Sequence, residues 1–470
     1  MGRFGVESKP VSRFSGLVRS ISLLAGNDID KRWGFLLTTR RTPAHTMKEQ
    51  RWLRIIPVAL IMYTISYVDR TNVALAFDPN MSTAMRDLAM DDKIKGNAIG
   101  IFFWGYLLLQ IPSGYLASHW SARKLVSICL VAWGVSAVGC GLVQTAAQFR
   151  LMRFLLGVSE SGVFPATLVL LANWFPRSER ARANAYWNLC QPLAVAAAAP
   201  ITGKLLDLWG WRTALILEGA LPFVWLPIWW FYICDHPAQA KWISTEERQH
   251  LETTLRKEAA QLEPVGQNKP LWRALLHPAV FILVPIYFLQ NCAAYGCNTF
   301  LSEALKAPGI PFTRLQTGIL YAVPYAVAAV CMVLNSRHSD RVQERRGHVA
   351  LAYSVSGLCL IASVLAAKHS FWLSFAFLCF AIQGPFSGLA PFWAIPAETL
   401  PKGTVGATMG LVNAIGNVGG WAGTAAFGWL KQDYGGTAIP FSVLGACLLV
   451  AAALCFLLPR SQTRPGVASS

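Results

Sequence analysis

The sequence predicts an all-α membrane protein: twelve transmembrane helices in two six-helix bundles, with both termini cytoplasmic. Three observations predict it. Of the 470 residues, 54% are hydrophobic and only 14% are charged, whereas a typical soluble domain is roughly 25% charged. Apolar stretches of about 18 to 25 residues, the length at which a helix crosses a bilayer, recur along the chain. The basic residues fall in alternate loops between those stretches.

Taken in order, the stretches run at 53–77, 97–117, 124–144, 151–175, 184–206, 213–233, 279–301, 315–335, 348–367, 371–394, 405–430 and 438–458. Arg123 and Lys124 follow the second, Arg177, Arg180 and Arg182 the fourth, and Arg337, Arg341, Arg345 and Arg346 the eighth. By the positive-inside rule these loops are cytoplasmic, and so are both termini. The formal charge of +17 is then a matter of topology, and no basic face for nucleic acid is expected.

Residues 1–50 read as a polar, basic cytosolic tail without the apolar core of a signal peptide. Phe14, Leu17, Val18, Ile21 and Leu24 recur there at helical spacing beside Arg13 and Arg19. That pattern fits a short interfacial helix, against the plainer reading of a disordered tail or an extension upstream of Met47. Residues 51–233 make the amino-terminal bundle, 234–272 a cytosolic central loop, 273–459 the carboxy-terminal bundle, and 460–470 a second cytosolic tail. The central loop contains STEERQHLETTLRKEAAQL, which predicts a helix capped at Ser244 or Thr245. Two six-span halves joined by a polar loop is the organisation of transporters built from repeats. The eleven cysteines lie mostly within spans without CxxC spacing, and read as small packing residues, with no metal site implied.

A few polar residues stand out against this frame. Asp69 and Arg70 sit in the middle of IMYTISYVDRTNVALAF, where a charge costs roughly 2.5–3.5 kcal/mol on insertion scales and so faces protein or a water-filled cavity. Span four, RLMRFLLGVSESGVFPATLVLLANW, sets Arg153 and Glu160 seven residues apart, on one helix face and about 10 Å apart along the axis. These four charges are either static ion pairs between spans one and four or a working site. Spans seven to twelve hold no ionisable residue deep in the membrane, with Glu303 and Glu398 near span ends, and all eight histidines lie in loops or tails. A proton carried across therefore falls to Asp69 or Glu160. Burial favours the neutral form of a carboxylate and a nearby arginine the charged form, so an anion that competes for the arginine changes the carboxylate's hold on its proton. Tyr67, Gln191, Tyr295, and Asn413 with Asn417 one helical turn apart, are uncharged hydrogen-bonding groups that fit either a cavity wall or interhelical contacts. Trp393 and Tyr321 read as packing or interface aromatics.

Several segments together resemble the anion:cation symporters of the major facilitator superfamily, in the phthalate and tartrate permease-like branch. They are YVDRTN (67–72), RFLLGVSESGVFPA (153–166), NWFPRSERARA (173–183), WGWRTALILEG (209–219), DHPAQAKWISTEER (235–248), RHSDRVQERRGH (337–348), FWAIPAETL (392–400) and LVNAIGNVGGWAG (411–423). The likeness covers roughly 47 to 458 and implies the major facilitator fold with alternating access. It implies that Arg70 and Arg153 bind a substrate carboxylate, that Asp69 and Glu160 carry protons, and, more weakly, that Tyr67, Gln191 and Asn413 line the cavity; Glu218 is expected to be structural. The loops GYLASHWSARK and SRHSDRVQERRGH match the superfamily's loop signature. Arg123, Lys124, Asp340, Arg341, Arg345 and Arg346 are the implied cytoplasmic gate, with Ser118 and His119 standing where the first copy's acidic-basic pair belongs.

The expected partners are a small organic anion, protons and the lipid bilayer, for a monomer in the plasma membrane, or the inner membrane of a bacterium, with no cofactor. The sugar acids, tartrate-like dicarboxylates and aromatic carboxylates remain alternatives, as do uniport and antiport. A transporter-like nutrient receptor needs a long cytosolic domain, and the central loop has only about 35 residues. An embedded hydrolase needs a nucleophile with a positioned base, and no intramembrane Ser/His or HExxH arrangement occurs.

Overall fold

The computed structural model describes residues 50–260, 278–305, 312–399 and 405–458, all within one compact unit, Glu49–Ser470. Both expected tails, including the helical spacing at Phe14–Leu24, lie outside the described residues. Within them every regular element is helical. The principal helices before the central loop are α1 (Gln50–Ala76), α2 (Asp92–Gly100) running on through Ile101 into α3 (Phe102–Leu116), α4 (Ala122–Leu142), α5 (Ala146–Glu160) with α6 (Val163–Trp174), α7 (Arg177–Asn188), α8 (Cys190–Gly219) and α9 (Leu221–Tyr232). After α10 (Thr245–Ala260) come α11 (Pro278–Ala304), α12 (Arg314–Val342), α13 (Arg346–Ala366), α14 (Phe371–Ser387), α15 (Leu389–Thr399), α16 (Val405–Tyr434) and α17 (Ala438–Cys455).

Nine segments among the described residues are long and apolar enough to cross a membrane. The longest, Arg182–Tyr232, has 51 residues and is broken at Gly210, whose φ of 74° suits a residue without a Cβ. The helix starts follow local chemistry. The Asp91 side chain accepts from Ile94 N at the start of α2, and Thr313 with Gln316 forms a reciprocal capping box on α12. The helix expected in the central loop is present as α10, where Ser244 Oγ accepts from Glu247 N at 3.2 Å. Arg51 at the start of α1 ties α10 and α7 to it, through Glu247 at 2.6 Å and Glu179 at 2.8 Å.

At the end of the bundle away from α10, the helices before the central loop meet those after it along two seams. In the first, α2 lies against α16 so closely that a Cβ on Gly96 would strike the Thr424 carbonyl and one on Gly428 the Asp92 carbonyl. In the second, Gly203 of α8 faces the Arg314 carbonyl of α12, and Gly318 faces Ala199. The first seam also holds ions. Lys95, 0% exposed, donates to Glu303 at 2.7 Å; Lys431 pairs with Asp92 at 2.7 Å and with Glu303 as well; Lys93 meets Asp433 at 2.7 Å. In the second, Arg314 donates to the Leu206 carbonyl at 2.7 Å.

Candidate functional site

The charged motif of α1 turns toward α5 and α3. Ser66 and Arg70, four residues apart and hence on one face, both donate to the same oxygen of Glu160: Ser66 Oγ at 2.7 Å and Arg70 Nε at 2.8 Å from Oε2. The chain is interrupted directly after Glu160, where Ser161 and Gly162 separate α5 from α6. Gly157, one turn earlier, rests on the Phe102 carbonyl with no room for a Cβ, which brings α5 against α3. Arg70 is also caged by aromatic faces, its guanidinium carbon 4.7 Å from the Tyr106 ring centre and 5.3 Å from those of Tyr67 and Phe102. Two polar atoms of this cluster stay unsatisfied: Arg70 Nη2 and Glu160 Oε1 are buried with no hydrogen-bond partner.

A second layer lies behind the first. Trp133 Nε1 of α4 donates to Asp69 Oδ2 at 2.6 Å, and Arg153 Nη1 donates to the backbone carbonyl of Asp69 at 3.0 Å. Arg153 is 2% exposed and lies 5.2 Å from the Phe102 ring centre. Deeper still, Glu218 accepts from Asn72 Nδ2 at 2.9 Å and from Thr202 Oγ1 at 2.6 Å.

In front of Arg70 opens a cavity of about 1080 Å³ between the helices before and after the central loop. Its lining runs from Thr71 and Asn298 in the middle of the bundle to Tyr115, Arg180 and Met332 toward the α10 end. The two seams close the other end. Of the residues singled out in the sequence, Arg70, Tyr67, Gln191, Tyr295, Asn413 and Asn417 line this cavity. Asp69, Glu160 and Arg153 do not: they form the layer that holds Arg70 in place. Trp393 lines the wall as well, stacked edge-on to Tyr287 with ring centres 5.0 Å apart.

The loop residues read as a gate are engaged with neighbours in their own part of the chain. The Arg123 backbone N–H donates to Asp235 at 2.9 Å, and its Nη2 to the Trp230 carbonyl. Lys124 N–H donates to Ser121 Oγ at 3.0 Å. Asp340 pairs with Arg345 at 2.5 Å, Arg346 Nη1 donates to the Leu458 carbonyl at 2.5 Å, and Arg341 is exposed. Burial disfavours the charged form of the nearby Glu344, but hydrogen bonds from the Gly347 and His348 backbones and the His348 ring outweigh it and hold that carboxyl below its ordinary value.

Sequence reasoning missed several members of the site. Ser66 was recoverable, one turn before Arg70 in the same motif. So were Gln290, Asn291 and Asn298, polar residues in the apolar run of α11 that flank Tyr295 and line the cavity. Tyr106 and Trp133 carried no signal beyond being aromatic. Lys95 and Glu303 lay at stretch ends, where a charge is ordinary.

The sequence profile of the Major Facilitator Superfamily matches residues 59–424 and again 312–469. A quinolone resistance transporter of Acinetobacter baumannii is 31% identical over 418 residues, covering 86% of this chain and 93% of that protein. A provisionally named tartrate transporter of Agrobacterium vitis is 30% identical over 421 residues, 87% and 91% of the two chains. Among solved structures, the inward-facing, unoccupied crystal structure of a bacterial homolog of the human lysosomal transporter Spinster superposes with a TM-score of 0.68 at 18% identity, covering 86% of this chain and 96% of that one.

Proposed function

The chain belongs to the major facilitator superfamily, a family of multi-pass membrane transporters, and from that premise we propose that it is a proton-coupled symporter of a small organic anion working by alternating access. One observation carries the reading. Arg70 stands at the cavity wall, engaged by Glu160 through Nε, while its Nη2 and the carboxylate's Oε1 have no partner. A guanidinium fork matches a carboxylate, so an anion entering the cavity that Arg70 lines competes with Glu160 for the guanidinium. A proton on Glu160 Oε1 relieves that competition. Proton and anion then each favour the binding of the other, as the reciprocity of linked binding requires.

Asp69 and Arg153 have a supporting part in this reading. Arg153 grips the Asp69 carbonyl and Trp133 its side chain, which fixes the turn of α1 that presents Arg70. Tyr67, Gln191, Tyr295, Asn413 and Asn417 receive the rest of the substrate. The provisional name of the Agrobacterium relative supports a hydroxylated carboxylate as cargo, although tartrate itself is a diacid.

The proposed topology has twelve crossings in two six-helix bundles, 51–233 and 273–459, with the tails and the central loop cytoplasmic. The 51-residue segment broken at Gly210 supplies two crossings, because at 1.5 Å per residue it is about 75 Å long against about 30 Å of hydrocarbon. The run of α2 into α3, and α16, supply two more beyond the nine. The cavity then opens to the cytoplasm, and Arg123, Lys124, Asp340, Arg341, Arg345 and Arg346, each engaged or exposed on its own side, meet across the opening when it closes. We place the protein in the plasma membrane as a monomer.

The test is transport by the purified full chain in liposomes. Labelled organic acids should accumulate above equilibrium under an inward-directed proton gradient, and a protonophore should abolish the excess. Uptake that only equilibrates would make it a uniporter, uptake that requires a counter-substrate an antiporter, and binding without flux a receptor.

A further inference from the structure

The charge balance of the cavity restricts what it can hold. Among the described lining residues the only cations are Arg70 at the deep end and Arg180 near the mouth. Arg180 Nη2 already donates to the Ala172 carbonyl at 3.1 Å. The other deep guanidinium, Arg153, lies behind the wall with its Nη1 on the Asp69 carbonyl. Across from Arg70 the wall is neutral: Gln290, Asn291, Asn298, Asn413 and Asn417 are carboxamides. Their orientations are partly fixed by backbone carbonyls, since Asn291 Nδ2 donates to Gly416 O at 3.0 Å and Gln290 Nε2 faces Pro385 O at 3.4 Å. That leaves Gln290 Oε1 buried without a donor, and Gln110 Oε1 on the facing wall is in the same condition.

We infer that the substrate carries a single carboxylate and that the rest of it presents hydroxyl or N–H donors rather than a second acidic group. The inference rests on the symport reading above. Arg70 and ionised Glu160 compensate each other. One proton on Glu160 leaves one positive charge uncompensated, and one carboxylate restores balance. A second carboxylate would bring a second buried charge to a wall whose carboxamides and phenols include no cation to pair it, and an unpaired charge in such a place is strongly disfavoured. Hydroxyl or N–H groups are instead matched by the carboxamide oxygens of the lining without adding charge, because a buried acceptor left without a donor is costly. One proton moving with one monoanion transfers no net charge, so the cycle is electroneutral.

The probes are matched acids with one or two carboxylates on the same skeleton: gluconate against glucarate, and 4-hydroxybenzoate against 4-hydroxyphthalate. Hexanoate serves as a monoacid without hydroxyls. Binding is read by thermal shift on the purified chain, and transport in liposomes with the pH gradient and the membrane potential set independently. In at least one pair the monoacid should bind tighter than the diacid by about tenfold or more, and gluconate, if that pair responds, tighter than hexanoate. The initial rate should follow the pH gradient and not the potential. A diacid that binds as well as its monoacid, potential-driven uptake, or silence from both pairs overturns the inference. A monoacid preference without any protonophore-sensitive accumulation overturns the symport reading and leaves the charge selection standing. Accumulation of a diacid does the reverse.

Discussion

The two walls of the cavity are built on different principles. The wall from the amino-terminal helices holds ions: Arg70 at the surface, with Glu160, Asp69 and Arg153 packed behind it in a network in which every contact described lies within α1 to α5. The wall from the carboxy-terminal helices holds carboxamides and phenols, and among its described lining residues no charge at all. A transporter whose halves move past each other needs its charge balance to survive that motion. Confining the ions to one side does this, because no buried pair at the site is broken when the walls shift. Ions that do bridge the two sets of helices, Lys95 with Glu303 and Lys431 with Asp92, lie at the seam, which the proposed cycle parts. On the proposed cycle the substrate bridges Arg70 and the neutral wall, and so can report the proton's state from one to the other.

The contrast can be broken most decisively at Glu160. Glu160→Gln keeps the side chain's size and mimics the protonated form. Accumulation driven by the proton gradient should vanish, while exchange of substrate for substrate across liposome membranes persists. Undiminished accumulation would mean that coupling does not reside in the charged wall. Next in size is Arg70→Lys, which keeps the charge but loses the fork; a charge-assisted hydrogen bond contributes about 1.5–3 kcal/mol, so binding measured calorimetrically should weaken about 10- to 100-fold. Arg153→Lys, out of reach of the cavity, should cost clearly less, and an equal loss would bring Arg153 into the site.

The seam should respond in population rather than in affinity. Glu303→Gln leaves Lys95 buried without its counter-ion, although Lys431 keeps Asp92. Breaking a buried pair costs about 3–5 kcal/mol, and part of it should appear as faster hydrogen exchange over 92–100 and 420–434. Unchanged protection there would show that glycine packing alone closes the seam. The smallest effect should come from the neutral wall. Asn413→Ala removes one hydrogen-bonding group and should weaken binding about 2- to 10-fold, with the proton coupling ratio unchanged.

Much of this was legible in the sequence because charge inside an apolar run is conspicuous. Asp69, Arg70, Arg153 and Glu160 could be seen, and so could the absence of ions deep in the second half. Their pairing could not. Periodicity says that Arg153 and Glu160 share a face of α5, but not that this face meets α1 so that Glu160 takes Arg70 and Arg153 takes a backbone carbonyl behind it. Which of two arginines reaches a cavity depends on how three helices pack, and that information is not local. The break between α5 and α6 was hidden as well, since Ser161 and Gly162 pass unnoticed in a stretch that reads continuously from 151 to 175. Lys95 and Glu303 are separated by 208 positions, and nothing about either suggests the other.

The glycine seams have a consequence for the energy economy of a cell. Where Gly96 and Gly428 let two backbones touch, there is no width for a file of water molecules, and Lys95 and Glu303 beside them are sealed from solvent on the helix flank. A cavity open on one side of a membrane is a hole drilled most of the way through an insulator. The seam is the remaining dielectric. A larger side chain at Gly96 or Gly428 would act as a wedge whose first symptom is leakage of protons down their gradient with no cargo, a short circuit that drains membrane energisation before the fold itself is lost.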